Sequence, residues 1–181
     1  AISVLDQKEM SSAGYYFAYG SNMNPARVKR RGMAVKSYMS GQLSDYILAF
    51  NKRSTIYPGA AAANIMVSSG SVVEGVIYEL ETHQSIETMD PFEGYPARYS
   101  RHIVSISTQT GLLDSWVYTA NQDHVQEGLK PAQWYLDHLL AGKDFLSESY
   151  FEDLAAVVTL PNSHTEPERK AVRSSTSKNS G

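Results

Sequence analysis

The 181-residue chain has no cysteine, which excludes zinc-thiolate sites, dithiol redox pairs and thiol nucleophiles together. It also lacks any run of about 18 apolar residues, and its first segment, AISVLDQKEMSSAG, has neither a basic start nor an apolar stretch. Neither a membrane-spanning helix nor a signal peptide is therefore expected. No Asn-x-Ser/Thr site occurs, and the cytoplasm is the expected location. A dominant charge is missing as well: 16 Lys and Arg stand against 19 Asp and Glu, a net charge of −3. With no strongly basic region, nucleic acid and anionic membrane are disfavoured as partners, and a small molecule is favoured. The phosphate-binding GxxxxGK[ST], a Rossmann glycine pattern, HExxH, a calcium loop and GxSxG are all absent. The five histidines, His83, His102, His124, His138 and His164, show no ligand-like spacing, so no metal site is expected and they read as surface or strand residues.

What is present suits one folded domain: 42% hydrophobic and 19% charged residues in a chain long enough to bury its own core. Residues 1–14 and 161–181 read as tails, the latter as disordered, and residues 15–160 as the domain. YYFAYG is a short aromatic run ending in Gly20, the pattern of a buried strand that stops abruptly. SNMNPARVKRRG predicts a short helix, with Asn24 as N-cap, Pro25 at its first position and Gly32 beyond its end. Arg27, Lys29, Arg30 and Arg31 then suit the negative end of the helix dipole, and a phosphate patch is the weaker reading.

From Gly41 to Leu80, SDYILAFNKRS, AAANIMVSSG and SVVEGVIYEL read as three strands separated by turn residues. THQSIETMD supplies one or two helical turns capped by Thr82, and RYSRHIVSIST with DSWVYTA forms a hairpin across Gly111. KPAQWYLDHLLAG and SESYFEDLAAVVTLP predict two more helices, the second with Ser149 and Glu152 as a capping box. The fold class is α+β, about six strands curled into a small mixed barrel flanked by helices.

Two stretches are candidates for chemistry. In YGSN, Gly20 ends the strand so that the backbone N–H groups of Ser21 and Asn22 can point at a carboxylate or oxyanion, although on local composition alone a plain strand-to-helix turn is the stronger reading. In MDPFEGYPARYSR, Glu93 is either a solvated turn residue or a carboxylate taken out of water by Phe92, Tyr95 and Tyr99. In the second case it could take and return a proton near neutral pH. Asp90, before Pro91, reads as a helix-stopping residue.

Taken in order, YYFAYGSNM, GQLSDYILAF, AAANI, VVEGVIYEL, MDPFEGYPARYSR and KPAQWYLDHLLAG resemble the γ-glutamylcyclotransferase-like family from about Tyr15 to Ala156. The resemblance implies a small barrel and an intramolecular cyclisation. The α-amine of a γ-glutamyl group attacks its own γ-carbonyl, releasing 5-oxoproline and an amine or amino acid. It implies Glu93 as general acid/base, substrate binding by Tyr19, Gly20, Ser21, Asn22 and Met23, and a pocket wall including Tyr99 and Tyr135. No metal or organic cofactor is implied. Asn22 resembles the general γ-glutamyl branch, where the glutathione-specific branch reads YGSL. The PAQWY helix resembles that branch's P-S-x-x-Y, with Ala132 where Ser is frequent. γ-Glutamyl amino acids are thus the expected substrates. Cyclisation of a γ-glutamylamine or isopeptide, and non-catalytic binding on the same fold, are the alternatives. The aromatic content permits a homodimer without requiring one.

Overall fold

The computed structural model describes residues 13–161 and 165–167. Most of the expected leading tail, all but Ala13 and Gly14, and most of the expected trailing one lie outside these residues. Five strands close into a barrel: β1 (Tyr15–Ala18), β2 (Val35–Arg53), β3 (Ala61–Leu80), β4 (Tyr99–Thr108) and β5 (Gly111–Ala120). They run in the order β1-β3-β2-β4-β5, and β1 seals the barrel by pairing antiparallel with β3 and parallel with β5. Among the described residues four helices flank it: α1 (Pro25–Arg30), α2 (Ile86–Glu93), α3 (Gln133–Leu140) and α4 (Glu148–Ala155).

The aromatic run that opens the domain is buried on both faces. Alternation along β1 sends Phe17 into the barrel with Leu43, Val73, Ile77 and Ile106. It sends Tyr16 and Ala18 outward against Met23, Met89, Leu136 and Leu139, beneath the helices. Burial on both sides is why the segment reads as a continuous apolar run. The close packing of β1 on β3 needs Gly75, whose added Cβ would run into the carbonyl oxygen of Ala18 and lie 2.9 Å from the Phe17 ring.

The barrel and its flanking helices are as expected, but the expected six strands are five. AAANIMVSSG and SVVEGVIYEL form one strand, β3, paired along its length with β2. The turn residues between them are absorbed as a bulge: the register jumps from Ser44↔Val72 to Tyr46↔Val67, and the Gly70 N–H donates to Asp45 Oδ1 at 2.9 Å. β2 also begins at Val35, six residues before the patterned stretch.

Asn24 caps α1 by accepting from the Ala26 N–H at 3.2 Å, with Pro25 in the first turn. Thr82 caps a 3-10 turn ahead of α2, through reciprocal contacts with Ser85. For α4 the cap is Ser147, not Ser149: its hydroxyl accepts from the Tyr150 N–H while it donates to Glu74, so the helix starts two residues earlier. The β4–β5 hairpin pairs Thr108 with Gly111.

Candidate active site

The helix expected to stop at Asp90 runs on through Pro91 to Glu93. Asp90 is an anchor: Arg101 on β4 donates to both its oxygens at 2.8 and 3.1 Å, and the Tyr118 hydroxyl on β5 donates at 2.7 Å. A bidentate guanidinium and a phenol holding one carboxylate fix the rotation of α2 against the barrel. That anchorage offsets the backbone hydrogen bond lost at Pro91. One turn on, Glu93 ends the helix, and Gly94 takes the left-handed conformation at φ 74° that closes it.

This placement sets Glu93 in the wall of a cavity of about 430 Å³, with a side chain 17% exposed. Oε1 accepts from Asn22 Nδ2 at 3.1 Å, and Arg31 Nη1 stands 3.8 Å from it. Among the described residues no group pairs with Oε2. Phe92 and Tyr99 line the same cavity, whereas Tyr95 lies outside it, 37% exposed, with the Arg101 guanidinium stacked on its ring at 4.6 Å. Tyr95 therefore plays no part in shielding the carboxylate.

The other half of the wall is the turn after β1. Gly20 precedes a single 3-10 turn, Ser21–Met23, and a Cβ at Gly20 would lie 3.2 Å from both the Ala63 Cβ and the Tyr135 hydroxyl. A glycine is what lets the turn press against β3 and α3. Asn22, only 2% exposed, ties the turn to the carboxylate. Its amide nitrogen also meets the Tyr16 hydroxyl at 3.0 Å and the Met89 sulfur at 3.2 Å, and its Oδ1 accepts from Arg31 at 3.1 Å. The Tyr78 hydroxyl donates to its carbonyl at 2.6 Å. Among the described residues no acceptor pairs with the Ser21 and Asn22 N–H groups, which leaves two backbone donors for a ligand at the cavity wall.

Tyr19, Tyr99 and Tyr135 are among the tyrosines that line the pocket. Tyr19 donates to the Tyr118 carbonyl at 2.5 Å, and Tyr99 donates to the Ala63 carbonyl at 2.8 Å. Tyr135 accepts the Ala63 N–H at 2.8 Å, which leaves its own proton for a ligand. Burial pushes all three phenols up, Tyr135 to about 12, so they stay neutral donors. The structure thus brings Glu93, Tyr19, Gly20, Ser21, Asn22, Tyr99 and Tyr135 to one cavity. Met23 is not brought there: it is fully buried in the core beneath the helices.

The sequence reading missed the cations. Arg27, Arg30 and Arg31, read as helix-end charges, line the cavity, as do Lys52 and Arg98. The signal was their spacing, since positions i, i+3 and i+4 share one face of a helix. His138, read as a surface or strand residue, is buried on α3 beside Arg27.

A barrel with a carboxylate wired to the turn after its first strand defines a class, and comparison with known proteins gives it a family. Residues 16–137 match the family described as gamma-glutamyl cyclotransferase, AIG2-like, and the chain belongs to it. It is similar to the gamma-glutamylcyclotransferase of Bos taurus, 33% identical over 101 residues, which are 53% of this chain and 53% of that protein. The chain thus spans about half the length of the curated relative it matches. Two solved structures are similar at 25% identity. An uncharacterized protein from Homo sapiens gives a TM-score of 0.75 over 87% of this chain and 95% of that one. A gamma-glutamyl cyclotransferase gives 0.73 over 86% and 94%. Among the described residues no helix is long and apolar enough to cross a membrane.

Proposed function

We propose that this chain cyclises γ-glutamyl amino acids to 5-oxoproline and a free amino acid, with Glu93 as general acid and base. The observation that carries the reading is the contact of Asn22 Nδ2 with Glu93 Oε1 at 3.1 Å inside one cavity. One oxygen is held, and the other is left for a proton.

The substrate's α-amine arrives as an ammonium. Glu93 Oε2 takes one of its protons, and the freed nitrogen attacks the γ-carbonyl carbon, closing a five-membered ring. The electron pair moves to the carbonyl oxygen, where donors of the Ser21–Asn22 turn and the Tyr135 hydroxyl are suited to an oxygen anion. When the pair returns, the C–N bond to the departing amine breaks and Glu93 delivers its proton to that nitrogen; the ring nitrogen, still carrying two protons, then passes one through the Glu93 carboxylate to the released amine, which leaves as an ammonium beside the neutral lactam. The carboxylate is regenerated within one turnover. Nucleophile and electrophile belong to one molecule, so the protein's main work is to hold the folded-back conformer. A carboxylate pinned by a buried amide and a neutral tyrosine wall serve that work.

Incubation with γ-glutamyl-alanine, glutathione and a γ-glutamyl-lysine isopeptide, with 5-oxoproline measured, tests the reading. Release from the first substrate is expected. Glu93→Gln keeps the side-chain shape and removes the base, so turnover should fall by at least about 10²-fold. Retained turnover would sink the mechanism.

A further inference from the structure

Thr165, Glu166 and Pro167 belong to the segment expected as a tail, yet they lie against the cavity. Glu166 and Pro167 are among its lining, and the Tyr57 hydroxyl donates to the Thr165 carbonyl at 3.2 Å. The Glu166 carboxylate is held from both sides, by Arg27 Nη1 at Oε1 and by His138 Nε2 at Oε2, 3.0 Å away. The hydrogen bonds fix the imidazole's role. Asn24 Oδ1 accepts the Ala26 N–H, so its amide nitrogen faces His138 Nδ1, 3.0 Å away, and donates to it. The imidazole proton therefore sits on Nε2 and points at the carboxylate. Arg27 Nη1, 3.1 Å from the same nitrogen, converges on the same target.

The two halves of this clamp differ in character. Arg27 and His138 belong to the folded body, with side chains 12% and 11% exposed, while Glu166 is 37% exposed on a short crossing segment. Without an anion, Arg27 would be a largely buried guanidinium, a costly state. The clamp accordingly demands a carboxylate, and one from outside would satisfy it as well as the chain's own.

Resting on the cyclisation reading, we propose that Arg27 and His138 form the subsite for the carboxylate of the departing amino acid, and that Glu166 is its internal occupant, displaced by substrate. The site thereby selects γ-glutamyl compounds whose amine portion carries a carboxylate over simple γ-glutamylamines. The segment from Thr165 to Pro167 competes with them.

The test is calorimetric binding of γ-glutamyl-alanine and γ-glutamyl-ethylamide, which lacks the second carboxylate, to the full chain carrying Glu93→Gln. Adding Arg27→Gln should raise Kd for the alanine compound at least about tenfold and for the ethylamide less than about threefold, since a charge-assisted pair is lost only with the first. Arg27→Lys, which keeps the cation without the fork, should fall between. Adding Glu166→Gln instead should lower Kd for the alanine compound about three- to tenfold, as expected if the segment is seated roughly 70–90% of the time. Equal losses for both ligands in Arg27→Gln, or an unchanged or raised Kd in Glu166→Gln, would overturn the assignment, as would no binding of either ligand. Absence of 5-oxoproline from the wild-type chain would refute the cyclisation reading separately, because the Kd ratios do not depend on turnover.

Discussion

Asn22→Ala is the substitution that should separate a wired carboxylate from one that merely faces a cavity. The change removes two contacts to charged groups, Nδ2 to Glu93 and Oδ1 from Arg31, and one to the neutral Tyr16 hydroxyl. At about 1.5–3 kcal/mol for each charged contact and about 1 for the neutral one, the gross loss is about 4–7 kcal/mol. Glu93 and Arg31 border the open cavity, so water entering the vacated space restores part of their solvation. A net loss of about 2–4 kcal/mol remains, or roughly 5–15 °C in Tm for a domain of this size. Catalysis should suffer more than stability, because Arg31 at 3.8 Å becomes the remaining polar neighbour of Glu93 Oε1. A misplacement of about 1 Å costs roughly 10²-fold in turnover. Differential scanning calorimetry and 5-oxoproline release, both measured on Asn22→Ala well below its Tm, provide the readouts. A folded variant that keeps more than a third of wild-type kcat would refute the claim that Asn22 positions the base.

Tyr135→Phe keeps the ring but loses the proton left free by the Ala63 contact, and kcat should fall about tenfold with little change in Tm, as read by parallel kinetics and melting. Asp90→Asn should weaken the bidentate contact from Arg101 and lower kcat through Glu93 without touching substrate, and Arg101→Lys should reproduce part of the loss in a kcat against KM comparison. Gly75→Ala should cost about 3 kcal/mol or more and leave little folded protein by circular dichroism, because backbone and ring leave no room for a methyl. Burial lowers the pKa of His102, so the folded state favours the neutral ring. Its contribution is intact above about pH 6.5 and is lost as pH falls below that value. The fall in Tm between pH 7.5 and 5.5 should therefore be smaller in His102→Asn than in the wild type, and an equal or larger fall would contradict the assignment.

Much of the barrel was legible because its strands obey local rules. Branched and aromatic runs bounded by glycine, and the hairpin at Gly111, need no tertiary information. The failures share a cause, which is that long-range contacts outvote local signals. Ser68, Ser69 and Gly70 read as a turn, but pairing with β2 turns them into a bulge opposite Asp45. Asp90-Pro91 reads as a stop, but Arg101 and Tyr118 hold the helix together through it. Ser149 has the better local box, and Ser147 wins because Glu74 on β3 reaches it. The site divides in the same way. Glu93 and the YGSN turn stand out as motifs, while Arg27 and His138 become a pair only when α1 and α3 pack, 111 residues apart in the chain.

The four residues of β1 form only with partners far along the chain: Tyr15 sits opposite Glu79 on one side and Ser115 on the other. Such pairings are entropically expensive to close and tend to be made late. The turn that carries Asn22 is the direct continuation of that strand, so its meeting with Glu93 awaits closure of the ring. In a refolding experiment, recovered turnover should then lag the return of helix and hairpin signals and coincide with burial of Tyr16 and Phe17. Activity would serve as a clock for the last stage of assembly.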